Sequence, residues 1–205
     1  MHIKNIVTSG KPVTEARKAL IMIHGRGAGA NDILALASHL NVQDYALLAP
    51  QATNNTWYPG SFLLPQEQNE PWLSSALAVI DDCVKDITSQ GIELENIYFT
   101  GFSQGACLVL EYVTRNARKY GGIAAFTGGL QGDVINEDNY KGDFEGTRVF
   151  IGTGDPDAHV PVDRVNRTAA IMNNLNAAVR VEVYQNKPHN VSPDEIDQAN
   201  SLIFN

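Results

Sequence analysis

The stretch Asn96-Ile97-Tyr98-Phe99-Thr100-Gly101-Phe102-Ser103-Gln104-Gly105 decides how the chain is read. Residues 96–100 form a short apolar run rich in strand formers, and the spacing from Gly105 to Tyr120 predicts a helix. Between them, Gly101-Phe102-Ser103-Gln104-Gly105 has the pattern G-x-S-x-G of a sharp strand-to-helix turn that carries a nucleophile. So tight a turn forces the serine into an unfavourable backbone conformation and crowds the residues beside it. Glycine on each flank removes the side chains that would clash. The hydroxyl then projects above the strand end. The helix N-terminus beneath it favours negative charge as a carbonyl becomes an oxyanion.

Outward from this turn, strand-like and helix-like patterns alternate along the chain. Ala19-Leu20-Ile21-Met22-Ile23 is an apolar run closed by His24-Gly25, and Tyr45-Ala46-Leu47-Leu48-Ala49 is another, stopped by Pro50. Further strands are expected at 123–126 and 148–152. A last one is expected at 179–184, whose apolar–polar alternation suits a position near the sheet edge. Helical spacing runs from Ile33 to Leu40, from Pro71 to Gly91, and from Pro161 to Leu175. Ser192-Pro193-Asp194-Glu195 reads as a capping box opening a final helix towards Ile203. Strands separated by helix-length segments predict βαβ units, a mostly parallel central sheet flanked by helices, and active residues at the carboxyl ends of strands. No repeat or linker interrupts the pattern, so a single α/β domain over residues 1–205 without a separate cap domain is expected. The loops at 50–70 and 128–146 are long. The first holds Trp57, Tyr58 and Phe62, and the second holds Leu130, and these four are read as an apolar substrate wall.

The bulk composition narrows the function. The chain has 205 residues, 43% hydrophobic and 19% charged, with a formal net charge of −8, so it is globular and not disordered. Without basic runs, nucleic acid and anionic membrane surfaces are not expected partners. Cys83 and Cys107 form no CxxC pair and read as small buried hydrophobes. No segment approaches membrane-spanning length, and the first residues have no signal-peptide run, so the expected location is the cytoplasm.

A serine hydroxyl needs a base to take its proton. Of the five histidines, His189 lies between the last strand and the capped terminal helix, where a base must be to reach Ser103. His159 is its competitor. His24 reads as structural, His39 as a surface residue, and His2 sits near the terminus. A carboxylate must orient the base, and either Asp155 or Asp157 after the strand at 148–152 could serve. Asp155, Asp157 and His159 also admit a metal-cluster reading, but a hard-metal site would want more carboxylates. The oxyanion hole is expected from the backbone N–H of Gln104 and that of Arg26 in the loop His24-Gly25-Arg26-Gly27. The Arg26 side chain is open to two readings, a solvated arginine or a contact for an anionic part of the substrate.

With these residues in hand, the chain resembles the phospholipase/carboxylesterase family of the α/β-hydrolases, which includes acyl-protein thioesterases and small bacterial carboxylesterases. Four segments carry the resemblance: Ile23-His24-Gly25-Arg26-Gly27, Gly101-Phe102-Ser103-Gln104-Gly105, Asp157-Ala158-His159-Val160-Pro161 and Pro188-His189-Asn190. The segment from Trp57 to Pro71 is similar to a bacterial branch. The resemblance implies the α/β-hydrolase fold and a Ser103–Asp157–His189 triad, selecting Asp157 over Asp155, with Arg26 and Gln104 as oxyanion donors. It implies a serine hydrolase of carboxylic esters or thioesters working through an acyl-enzyme, with a small-molecule ester as partner and neither cofactor nor metal. A homodimer is compatible with it. Arg26 stands where thioesterase members carry leucine, which implies short or medium esters. Alternative functions on the same scaffold are a non-catalytic ligand-binding sensor, an acyl-protein thioesterase proper, or another acyl-transfer enzyme such as an acyltransferase or peptidase.

Overall fold

The computed structural model describes all residues 1–205. Its centre is one seven-stranded sheet: β1 (Ile6–Gly10), β2 (Lys18–Ile23), β3 (Tyr45–Pro50), β4 (Ile97–Phe102), β5 (Gly122–Phe126), β6 (Arg148–Asp155) and β7 (Ala178–Gln185). The spatial order is β1-β3-β2-β4-β5-β6-β7. Every pairing is parallel except that of β1 with β3. Five helices, α1 (Ala30–Ala35), α2 (Trp72–Ser89), α3 (Gln104–Arg115), α4 (Val162–Asn174) and α5 (Pro193–Leu202), cover it.

Successive strand residues point to opposite faces, so each strand feeds two cores. Ile21, Ile23, Phe99 and Ile151 pack with α2, α3 and α4 on one face. Leu20, Met22, Ala124 and Phe150 pack with α1 and the end of α5 on the other. Because both faces are covered, the central strands are apolar without alternation, as a buried parallel sheet requires. Only the edge strand β7 alternates between half-buried and exposed positions.

The predicted elements are present with three differences. β1 was not expected: Ile6-Val7-Thr8-Ser9-Gly10 is short and half polar, and its order comes from pairing with β3 at the sheet edge. α3 ends at Arg115 and not at Tyr120, because Asn116 leaves the helix and Ala117 bridges to Gly142. The segment 33–40 is α1 followed by a tight turn over Leu36–His39. The capping box is formed: Glu195 N–H donates to Ser192 Oγ at 3.3 Å, and Ser192 N–H donates to Glu195 Oε2 at 2.8 Å.

Candidate active site

Four loops leave the carboxyl ends of parallel strands on the same side of the sheet and converge. They follow β2 (Arg26), β4 (Ser103), β6 (Asp157) and β7 (His189). Ser103 adopts φ 53° and ψ −119°, the strained conformation expected of the turn. Its backbone is braced on both sides, with Ser103 N–H donating to Phe126 O at 2.9 Å and Cys107 N–H to Ser103 O at 3.0 Å. The flanking glycines are required by close approach. A Cβ on Gly105 would sit 2.1 Å from Ile23 O, and one on Gly101 would sit 2.6 Å from the Gly105 backbone.

His189 Nε2 lies 2.9 Å from Ser103 Oγ, and His189 Nδ1 lies 2.7 Å from Asp157 Oδ2. The network assigns the tautomer. A carboxylate only accepts, so Nδ1 carries the proton and Nε2 is left to accept from the serine hydroxyl. The Asp157 side chain is fully buried. Burial pushes its carboxyl upward. Hydrogen bonds from His189 and from the His159 and Val160 N–H groups outweigh this, and the carboxyl is held below its ordinary range. Those two amides donate to Oδ1 at 2.8 and 2.9 Å, leaving Oδ2 for the histidine. Burying an unpaired carboxylate costs several kcal/mol, about what two or three charge-assisted hydrogen bonds supply, so the ionised form needs all of these donors.

The other candidates separate clearly. The Asp155 carboxylate accepts from Gln185 Nε2 at 3.2 Å while His189 is bonded to Asp157, and Asp155, Asp157 and His159 do not come together as a group able to hold a metal ion. His159 is exposed and stands edge-on to His189, with ring centroids 4.8 Å apart. The loop carrying His189 is anchored from below. Lys187 is buried, and its ammonium reaches Asn190 O at 2.5 Å and the buried carboxylate of Glu195 at 3.2 Å.

The N–H of Gln104, first in α3, has no partner within the helix, and the N–H of Arg26 has none in its turn, so both are free donors. The Gln104 side chain does something sequence reasoning did not anticipate. Its Oε1 accepts from Trp57 N–H at 2.9 Å and its Nε2 donates to Tyr58 O at 2.9 Å, clasping the 50–70 loop to the turn. Arg26 clasps the same loop further along, through Nη1 to Pro59 O at 2.9 Å and Nη2 to Gly60 O at 2.6 Å.

The resulting cleft encloses about 630 Å³ beside Ser103 and His189. Tyr58 and Phe62 line it, together with Leu63, Phe102 and Val160, which sequence reading did not single out. Trp57 and Leu130 do not line it, which corrects the expected substrate wall. Trp57 is fully buried beneath the loop, with its ring 5.2 Å from that of His2 and 5.0 Å from that of His24, and its Nε1 donates to His24 O at 2.9 Å. Leu130 is fully buried, with its N–H on Thr168 and its carbonyl on Arg164. Both thiols are buried and free, and burial pushes each up to about 12.

His24 and His2 support the loop as neutral rings. His24 Nε2 accepts from Ala52 N–H at 3.1 Å, and His2 Nδ1 accepts from Thr53 N–H at 3.1 Å, so a second proton on either ring would break a bond. Desolvation lowers the pKa of both below the ordinary 6.5. The unfolded chain therefore binds more protons than the folded one just below pH 6.5, and stability falls as pH drops through that window. Urea unfolding at pH 7.5, 6 and 5 is expected to give steadily lower midpoints. His24→Gln should be less stable at pH 7.5 and should show a flatter dependence. An unchanged slope in that variant would remove His24 as a cause.

The family model described as phospholipase/carboxylesterase matches residues 2–204. Acyl-protein thioesterase 1 of Saccharomyces cerevisiae is 28% identical over 214 residues, covering 93% of each chain. A probable carboxylesterase, SOBER1-like, of Arabidopsis thaliana is 23% identical, over 92% of this chain and 78% of that protein. The crystal structure of a phospholipase/carboxylesterase from Dyadobacter fermentans superposes with a TM-score of 0.99 at 56% identity, covering 100% of this chain and 98% of that one. The likeness establishes the α/β-hydrolase fold.

Proposed function

This chain belongs to the phospholipase/carboxylesterase family of hydrolases, and from that premise we propose that it is a serine carboxylesterase cleaving carboxylic esters through an acyl-enzyme. The observation that carries the reading is the continuous line from Asp157 Oδ2 through His189 to Ser103 Oγ, at 2.7 and 2.9 Å, ending on a nucleophile at the mouth of a cleft. In the first half-reaction His189 Nε2 takes the hydroxyl proton as Ser103 Oγ attacks the ester carbonyl. The free N–H groups of Arg26 and Gln104 receive the oxyanion, and Asp157 stabilises the imidazolium that forms. The proton passes from Nε2 to the leaving alkoxide. In the second half-reaction water gives a proton to His189 Nε2 and attacks the acyl-serine; the acyl–Oγ bond breaks, Nε2 returns the proton to Ser103 Oγ, and the acid leaves.

The same atoms would cleave a thioester, and curated relatives bear the name acyl-protein thioesterase, so that activity is the second reading. Both are tested by one experiment: hydrolysis of p-nitrophenyl esters across acyl lengths beside an S-acylated peptide, with a fluorophosphonate label located by mass spectrometry. The label is expected on Ser103, with turnover highest on short or medium esters. A folded sample giving neither label nor turnover would shift the reading to a ligand-binding protein on a hydrolase scaffold.

A further inference from the structure

We propose that the cleft selects esters bearing a negative charge close to the scissile bond, and that the Arg26 guanidinium is the group that selects them. This rests on the esterase reading and names the substrate class of that site. No Asp or Glu lines the cleft; its titratable side chains are those of Arg26, Tyr58, Cys107, His159 and His189. Tyr58 and Cys107 are buried, and burial pushes both upward, so they are uncharged. His189 is already paired with Asp157, whose carboxylate is buried behind it. Of the side chains lining the cleft, only the Arg26 guanidinium carries its charge at every working pH.

Arg26 forms no ion pair. Its two partners are the carbonyls of Pro59 and Gly60, which hold the planar group in place but carry no net charge, so its positive charge stays uncompensated in a chain of net charge −8. A guanidinium has five N–H donors, and two are used, so three remain on an exposed residue. Closing the loop does not by itself require a charge. Asn69, buried and neutral, binds the same segment by accepting from Gly60 N–H at 2.8 Å and donating to Ser61 O at 2.9 Å, and Gln104 does so at Tyr58. A charged, exposed clasp beside two neutral, buried ones is the arrangement that serves a ligand as well as a loop. The backbone of the same residue is the proposed oxyanion donor, and its guanidinium is held on the carbonyls of Pro59 and Gly60, which line the same cleft, so the charge lies within one arginine side chain's reach of the carbonyl under attack.

The test compares Arg26→Met with the parent on two matched pairs. One is mono-p-nitrophenyl adipate against p-nitrophenyl hexanoate, with a carboxylate on the acyl side. The other is 4-sulfophenyl butanoate against 4-nitrophenyl butanoate, with a sulfonate on the alcohol side. In one pair the variant should lose about tenfold more kcat/KM on the anionic member than on the neutral one, the size of a charge-assisted contact. The pair that responds tells which side of the ester carries the charge. Raising salt from ~0.02 to ~0.5 M should lower the parent's kcat/KM on that anionic ester and leave the variant's nearly flat. Equal losses on anionic and neutral members of both pairs would overturn the proposal and reduce Arg26 to a loop clasp. Absence of turnover on every ester, with no label on Ser103, would instead remove the esterase reading beneath it.

Discussion

Ser103→Ala is expected to lower kcat for ester hydrolysis by roughly 10⁵- to 10⁶-fold, with the protein still folded. The size follows from what the hydroxyl does in the proposed mechanism. It is the atom that forms the acyl bond, and without it only the oxyanion donors and the cleft remain. The fold is expected to survive because Ser103 Oγ has a single side-chain partner, His189 Nε2. The turn itself rests on backbone bonds to Phe126 and from Cys107, and on the absence of Cβ atoms at Gly101 and Gly105. Alanine keeps the same backbone and adds no volume. The measurement is steady-state hydrolysis of a short p-nitrophenyl ester together with a urea unfolding curve. Activity within tenfold of the parent, in a sample that unfolds normally, would place the nucleophile elsewhere.

Asp157→Asn is expected to cost about 10⁴-fold in kcat, because it leaves the shape intact but inverts a hydrogen bond. The two acceptor demands on this residue differ. Oδ1 serves the His159 and Val160 amides, and Oδ2 serves His189 Nδ1. An asparagine oxygen would stay with the two amides, leaving its NH₂ to face the imidazole. His189 would then hold its proton on Nε2, where it cannot accept one from Ser103. Asp155→Asn is the matched control, since its carboxylate meets Gln185 at the end of β7 and touches no part of the relay. Equal losses from the two substitutions would sink the assignment. The test reads kcat and KM separately, because the tautomer argument predicts a fall in kcat with little change in KM.

Much of this was legible along the chain. The turn around Ser103, the apolar strands, the capping box at Ser192 and the position of His189 between β7 and α5 are all local features. Each depends on a few neighbouring residues whose spacing or backbone freedom carries the signal. The choice of Asp157 over Asp155 had a different source. Two carboxylates two residues apart look alike along the chain, and only resemblance to a family distinguished them. In the folded protein they differ because Asp155 ends β6 opposite Gln185 of β7, whereas Asp157 lies in the loop beyond the strand and meets His189.

The sequence by itself determined a mostly parallel sheet covered on both faces, with a strained serine above one strand end. Unbroken apolar strands, helical periodicity and paired glycines have few other solutions. The tertiary structure alone decided what depends on contacts between distant segments. β1 exists because β3 offers it an edge. Trp57 and Leu130 are core residues because the loops that bear them fold inward onto His24 and α4. The Gln104 amide and the Arg26 guanidinium meet a loop some 30 to 50 residues away in sequence. Side-chain direction in an irregular loop is set by whichever distant donors and acceptors it must satisfy, and no local period records them.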